Sequence, residues 1–283
     1  MRMLLALALL IAAPAAAEPA VWVVRDADTE ITLFGTLHEL PQGVEWLSPR
    51  TAARLDAAQT LVLETIVPDD RGIMGQLVTT LGYSPKIPPL GTRVAPRLRG
   101  ALDTAVRDAG LAPAALDAME TWLAAITLGD AVLTRLGLDA AIGAEAVLGK
   151  RMRARGRPVT GLETPAQQLG YFDGLSETDQ RALLDATVAD TATARADTAR
   201  LTTAWVTGDV ETIARDFRDT LRATPRLATV LLTERNERWA AWIAARLAQP
   251  GTVFVAVGAA HLAGTDSVQA KLAVRGIKAD RLP

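Results

Sequence analysis

Both histidines of the chain occur in the same short pattern, three positions after a glycine that ends an apolar, β-rich run. His38 follows Gly35, and His261 follows Gly258. A glycine at a strand end lets the chain turn sharply and lets a ligand approach the backbone. A residue three positions on then lies in the crevice outside the carboxyl end of the strand, where open α/β sheets place their sites. One such histidine alone is more often structural, but two in matching contexts predict a functional site.

Two glutamates occupy the same kind of position. Glu64 ends the apolar run 61–63, and Glu163 ends the run 159–162. A buried carboxylate costs free energy unless a partner or a metal stabilises it. Two imidazoles and two carboxylates suit Mn²⁺, Co²⁺ or Zn²⁺, and such a metal lowers the pKa of bound water to about 7. These residues therefore predict a metal-activated hydroxide, although one glutamate could remain unligated and act as the general base.

Structural roles compete with this interpretation. Glu163 precedes a helix start at Thr164, and its charge could simply favour that N-terminus. Glu64 has no such role, although a buried arginine would satisfy it. Arg235 and Asn236 lie inside a predicted helix over residues 225–248 and are flanked by acids, so spacing alone slightly favours a solvated helical face.

The elements that must position these residues are strands toward both ends of the chain and helices in the middle. Extended runs bounded by turn residues predict strands, and apolar residues at helical spacing predict helices. Strands are expected at 20–24, 30–34, 61–66, 158–163, 252–257 and 276–282. The first two strands are expected to form a hairpin with a five-residue connection, and helices are expected between the others, including one opened by Gly137-Leu138-Asp139 and running to about Gly149. The order predicts an α/β or α+β fold with one mixed sheet built from strands at both chain ends. Residues 18–283 form a single domain in this interpretation, with a large helical insertion at about 68–157.

The first 17 residues have the pattern of a secretory signal peptide. Arg2 precedes an apolar stretch of about ten residues and a small-residue site, so cleavage is expected before Glu18. The stretch is too short for the roughly 20 residues of a spanning helix, and no later stretch is long enough. We therefore expect a periplasmic or secreted protein without a membrane span.

Composition excludes several classes of function. The chain has 283 residues, a formal net charge of −2 and no basic run, which argues against a sequence-independent nucleic-acid binder. It contains no cysteine, which excludes disulfides, thiol catalysis and cysteine-based metal sites. The H-E-x-x-H, G-x-S-x-G, P-loop and G-x-G-x-x-G motifs are also absent.

In its histidine motifs and the polar residues described above, the sequence resembles the TraB/GumN family, which is related to the Tiki proteins. The resemblance covers most of the chain after the signal peptide. It is carried by short blocks in a specific order: Phe34-Gly35-Thr36-Leu37-His38, Glu64, Gly137-Leu138-Asp139, Gly161-Leu162-Glu163-Thr164 with Gln168, Glu234-Arg235-Asn236 and Val257-Gly258-Ala259-Ala260-His261-Leu262. The family implies that the two histidines, an acid and the Arg235-Asn236 pair form a site. Arg235 could bind a substrate carboxylate or a glutamate ligand.

The resemblance and the residues together predict an exported metal-dependent hydrolase, most plausibly a peptidase, because Tiki proteins are described as metal-dependent proteases. His38 and His261 would bind the metal, Glu64 or Glu163 would complete the shell or act as base, and Arg235 and Asn236 would orient a peptide or small-molecule substrate. One alternative is a non-catalytic periplasmic protein that binds haem or a metal in the same crevice. Another is an interaction protein that uses the helical insertion as its contact surface.

Overall fold

A computed structural model describes residues 18–68, 70–222 and 224–283 of the chain, and the predicted signal peptide lies outside these ranges. The strands are β1 (Val21–Arg25), β2 (Thr29–Thr36), β3 (Leu40–Pro41), β4 (Thr60–Thr65), β5 (Leu138–Asp139), β6 (Val159–Glu163), β7 (Gly251–Gly258) and β8 (Ala279–Arg281). The helices are α1 (Pro49–Ala57), α2 (Arg71–Gly82), α3 (Leu90–Arg93), α4 (Arg99–Ala109), α5 (Pro113–Asp117), α6 (Thr121–Arg135), α7 (Ala144–Ala154), α8 (Pro165–Asp173), α9 (Glu177–Asp190), α10 (Ala194–Val206), α11 (Val210–Leu221), α12 (Pro225–Ala228), α13 (Glu234–Leu247) and α14 (Val268–Val274).

Six strands form one mixed sheet in the order β6-β4-β7-β2-β1-β8. Strands β6, β4, β7 and β2 run parallel to their neighbours in this order. Strand β1 pairs antiparallel with both β2 and β8. The mixed sheet, with strands from both chain ends and a largely helical middle, confirms the fold class expected from the sequence.

Helices cover both faces of the sheet and bury it between two apolar layers. On one face Phe34 and Phe254 pack in a cluster with Trp205 of α10. On the other face Val255 packs in a cluster with Trp239 of α13. Because successive strand residues point to opposite faces, the strands of a sheet buried on both sides are apolar throughout. Residues 61–63 of β4 and 253–257 of β7 have this composition and are all buried.

The helices between β4 and β6, together with α9, build a second apolar core away from the sheet. It is centred on α4, α6 and α9, where Leu102, Leu128 and Leu184 are buried. Among the described residues, no helix is long and apolar enough to cross a membrane.

The predicted helix start at Gly137 is wrong. Leu138 and Asp139 form β5, which pairs antiparallel with β3, and the helix α7 begins only at Ala144. Gly137 has a φ of 87°, a left-handed conformation that interrupts a helix. The Asp139 side chain accepts from the Ala141 N–H and so begins a 3₁₀ turn instead.

The predicted helix over 225–248 is observed with an irregularity that precedes the site. Residues Thr229–Thr233 form a π-helical turn between α12 and α13. Such turns shift the register of the following helix and are frequent at functional sites. Here the shifted helix α13 carries Arg235 and Asn236 into the protein, where they are 6% and 1% exposed. The slight preference of the sequence for a solvated face at these two positions is therefore wrong.

Candidate functional site

Four parallel strands end side by side at one edge of the sheet, and each end supplies part of a cluster. Glu163 ends β6, Glu64 lies next to the end of β4, and Gly258 ends β7. His38 follows the end of β2, which pairs with β7 up to Gly258. The sheet order therefore places these four residues in a row, because the carboxyl ends of parallel strands meet at the same edge of the sheet.

The guanidinium of Arg235 lies at the centre of this cluster. Its Nη2 donates to Glu64 Oε2 at 2.5 Å and to Glu163 Oε2 at 2.9 Å. Its Nε donates to Glu163 Oε1 at 3.0 Å, and its Nη1 contacts the Leu231 carbonyl and His261 Nε2. All five N–H groups of this side chain therefore have partners inside the protein.

The two carboxylates have further donors. Glu64 Oε1 accepts from the Gly258 N–H at 2.6 Å. Burial acts to raise the pKa of Glu64, but His261, Arg235, His38 and this N–H together lower that pKa to about 2. Glu64 is therefore a buried carboxylate that stays ionised.

Glu163 is bound by three side chains besides Arg235. Trp239 Nε1 and the Tyr171 hydroxyl each donate to its Oε1 at 3.1 Å. The Gln168 amide lies 3.4 Å from its Oε2 and 3.3 Å from Oε2 of Glu64, so it bridges the two carboxylates. The charge of Glu163 is thus satisfied by the protein rather than by the adjacent helix N-terminus alone.

His261 is neutral and fixed in one tautomer. Its Nδ1 lies 2.6 Å from Oδ1 of Asn236, whose amide nitrogen donates to the Asp266 carbonyl. The oxygen of Asn236 therefore accepts, so Nδ1 of His261 carries the proton and Nε2 accepts from Arg235. Burial and the charge of Arg235 lower the pKa of His261 to about 3. Asn236 thus orients His261 rather than a substrate.

His38 differs from His261 in exposure and in partner. Its side chain is 67% exposed, and its Nδ1 lies 2.7 Å from Oε1 of Glu145. The same oxygen accepts from the Thr36 hydroxyl. The hydrogen bond to Glu145 raises the pKa of His38 to about 9, and the negative charges of Glu145 and Glu64 add to this rise. Because Glu145 holds Nδ1–H, the neutral imidazole presents Nε2 as an acceptor.

The glycines of the two histidine motifs allow the cluster to close. A Cβ atom on Gly258 would lie 3.1 Å from Glu64 Oε1, 3.5 Å from Cδ2 of His261 and 3.8 Å from Nε2 of His38. A Cβ atom on Gly35 would lie 3.0 Å from the Cα of Ala259, inside the second motif. Both imidazoles and Glu64 therefore meet around Gly258, and only small residues fit between the motifs.

The predicted four-ligand metal site does not fit this arrangement. Arg235 lies between the two carboxylates, and it also donates to the Nε2 atom with which His261 would bind a metal. Within residues 18–68, 70–222 and 224–283, no group of three or more histidine, aspartate or glutamate side chains is arranged to hold a metal ion. A cation between Glu64 and Glu163 would lie against the guanidinium of Arg235, which already forms an ion pair with each of them. A requirement for Mn²⁺, Co²⁺ or Zn²⁺ stays a prediction.

Sequence reasoning missed the residue that orients His38. Glu145 is the second residue of α7, and the Ala144 N–H that precedes it donates to the Leu37 carbonyl. This hydrogen bond and the lack of a side chain at Gly143 bring Glu145 and His38 together. A Cβ atom on Gly143 would lie 1.9 Å from the His38 carbonyl oxygen. Neither contact can be predicted from a local sequence pattern, because Glu145 lies in a different part of the sequence from His38.

Most of the chain matches the model of a known protein family. Residues 20–281 match the family model described as the TraB/PrgY/gumN family, a span that includes every residue of the cluster. Comparisons with curated proteins and with solved structures found no match for this chain.

Proposed function

Since the chain belongs to the TraB/PrgY/gumN family, we propose that it is an exported hydrolase that cleaves peptides beside His38. The observation that supports this proposal most strongly is the 2.7 Å contact between Nδ1 of His38 and Glu145, which leaves Nε2 as the ring nitrogen beside Gly258 at the carboxyl edge of the sheet. A histidine held in this way by a carboxylate is suited to act as a general base.

In the proposed reaction, Nε2 of neutral His38 takes a proton from a water molecule, and the water oxygen attacks the carbonyl carbon of the substrate. The C–N bond then breaks, and the proton passes from His38 to the leaving amine. Glu145 keeps the imidazole in the required tautomer and stabilises its positive charge while the proton is held.

Arg235 and the two carboxylates form the fixed floor of the proposed site. Each of these three side chains is less than a tenth exposed, and Arg235 forms an ion pair with both carboxylates. We assign them a positioning role, because Glu64 binds the Gly258 N–H that begins the second histidine motif. His261 and Asn236 connect this floor to the 259–266 segment.

The test is incubation of the purified protein with a defined peptide mixture, with the new termini identified by mass spectrometry. Cleavage that continues after exhaustive chelation would support His38 as the source of the nucleophile. Cleavage that requires added Mn²⁺, Co²⁺ or Zn²⁺ would show that a metal takes part, and no cleavage under any condition would contradict the proposal. A haem titration followed in the visible spectrum tests the non-catalytic binding alternative on the same sample.

Export is tested separately. We expect the mature protein to begin at Glu18 and to appear in the periplasmic fraction of a bacterial host. N-terminal sequencing of the fractionated protein gives the answer, and an intact N-terminus in the cytoplasm would contradict export.

A further inference from the structure

Arg235 has no donor left for a substrate. The sequence suggested that it could bind either a substrate carboxylate or a glutamate, and the structure shows it bound to Glu64 and Glu163. Its remaining N–H groups contact Leu231 and His261. A substrate carboxylate would therefore need a different cation at this edge of the sheet.

Arg238 lies three residues later on α13 and is 48% exposed. Its Nη2 donates to the Tyr171 hydroxyl at 2.8 Å and lies 3.9 Å from Glu163 Oε1. Its guanidinium carbon is 5.4 Å from the centre of the Tyr171 ring. Tyr171 thus holds one edge of the guanidinium, and the described part of the chain supplies no hydrogen-bond partner for its other N–H groups.

The acids next to Arg238 on the same helix are engaged elsewhere. Glu234 forms an ion pair with Arg226, and Glu237 forms one with Arg275. Arg238 therefore presents a cation at the surface directly beside the buried cluster. An arginine with free parallel N–H groups binds a carboxylate in bidentate geometry.

We propose that Arg238 binds the C-terminal carboxylate of a peptide whose scissile bond lies at His38. This inference rests on the function proposed above and adds the substrate class to it. Arg238 contacts Glu163 at the end of β6, and His38 follows β2, which is three strands away in the sheet.

The distance between neighbouring strands gives the length of peptide that would span from Arg238 to His38. Neighbouring strands lie about 4.8 Å apart, so three steps span roughly 14 Å. An extended peptide covers about 3.3–3.6 Å per residue, which corresponds to about four residues. Water adds across the peptide bond, giving a new carboxylate on the upstream fragment and a new amine on a released fragment of about four residues.

The experiment compares one peptide sequence carrying a free C-terminal carboxylate with the same sequence carrying a C-terminal amide. The wild type is expected to cleave the carboxylate form with a kcat/KM about 10-fold or more above that of the amide. Arg238→Gln is expected to lose this preference, and Arg238→Lys is expected to restore part of it. Arg246→Gln changes another arginine of α13 and serves as the matched control, which should keep the full preference.

Binding measurements separate a failure of this inference from a failure of the proposed function. Titration calorimetry with N-acetyl-tetraalanine and with its C-terminal amide requires no cleavage. Preferential binding of the carboxylate by wild type but not by Arg238→Gln supports the inference even if hydrolysis is never observed. Equal binding and cleavage of the two forms by wild type overturns it and leaves hydrolysis at His38 standing. Equal losses for both forms in Arg238→Gln also overturn it, because they show a structural role through Tyr171.

Discussion

Oε1 of Glu145 lies 2.7 Å from Nδ1 of His38. The first turn of α7 therefore determines which imidazole nitrogen faces the carboxyl edge of the sheet. The second histidine, His261, is held in the same Nδ1–H tautomer by the neutral amide oxygen of Asn236. One imidazole is thus paired with a carboxylate and exposed, and the other is paired with an amide and buried, so only His38 is equipped to gain and release a proton at the surface.

Replacing Glu145 by Gln should slow the reaction and shift its pH dependence. His38 must be deprotonated to accept a proton, and its pKa is about 9, so the wild-type kcat/KM should rise with pH through about 9. Loss of the carboxylate lowers the pKa of His38, so the rise should occur at lower pH and reach a plateau about 10-fold or more below that of the wild type. A pH–rate profile measures both effects. Glu45→Gln, at an exposed position, is the matched control, and an unchanged profile in Glu145→Gln would contradict this role.

A methyl group at Gly143 should displace the loop that carries His38. The Cβ of Gly143→Ala would lie 1.9 Å from the His38 carbonyl oxygen, too close for either backbone to remain in place. We expect a loss of stability of about 1–3 kcal/mol and a loss of activity. Gly100→Ala is the control, because nothing lies within 4 Å of its added Cβ and it is in the first turn of α4. Thermal and urea unfolding compare the two, and equal stabilities would contradict the predicted clash.

Removing the cation of Arg235 should destabilise the protein strongly. Arg235→Met leaves Glu64 and Glu163 buried without their shared partner, which typically costs about 3–5 kcal/mol. Adding Glu64→Gln and Glu163→Gln to the same variant should recover part of that loss, because neutral amides need no counter-charge. Urea unfolding of the three proteins tests this, and a loss below about 1 kcal/mol in Arg235→Met would show that the cluster is not held by the arginine.

His261 should make the fold sensitive to mild acid. Its pKa is about 3 in the folded protein and 6.5 in its ordinary state, so between these values the unfolded chain binds a proton that the folded chain does not. The free energy of unfolding should therefore fall as the pH drops below 6.5, by up to about 1.4 kcal/mol per pH unit. Glu64, with its lowered pKa, adds to the loss below about pH 4.5. Urea unfolding between pH 4.5 and 8 should show this slope in wild type and not in His261→Gln, and equal slopes would contradict it.

The sequence predicted the sheet because its strands are short, apolar and bounded by turn residues. The same patterns placed Glu64, Glu163 and both histidine motifs at strand ends, and parallel pairing then brought these ends to one edge. Local periodicity was sufficient for this, since each element is defined by its own residues.

The partners of these residues could not be predicted in the same way. The burial of Arg235 depends on the π-helical turn at Thr229–Thr233 and on two carboxylates from separate strands. Flanking acids made its position look like a solvated face, yet Glu234 and Glu237 form ion pairs elsewhere on the surface. The pairing of Glu145 with His38 likewise depends on tertiary packing through Gly143.

The most direct test of the proposed function is the rate of peptide cleavage by His38→Gln relative to wild type at pH 9, with both proteins shown to be equally folded by circular dichroism. Glutamine cannot take a proton from water, so we predict a decrease in kcat of about 100-fold or more. A variant that cleaves the same bond at the wild-type rate would show that His38 is not the base and would contradict the central claim.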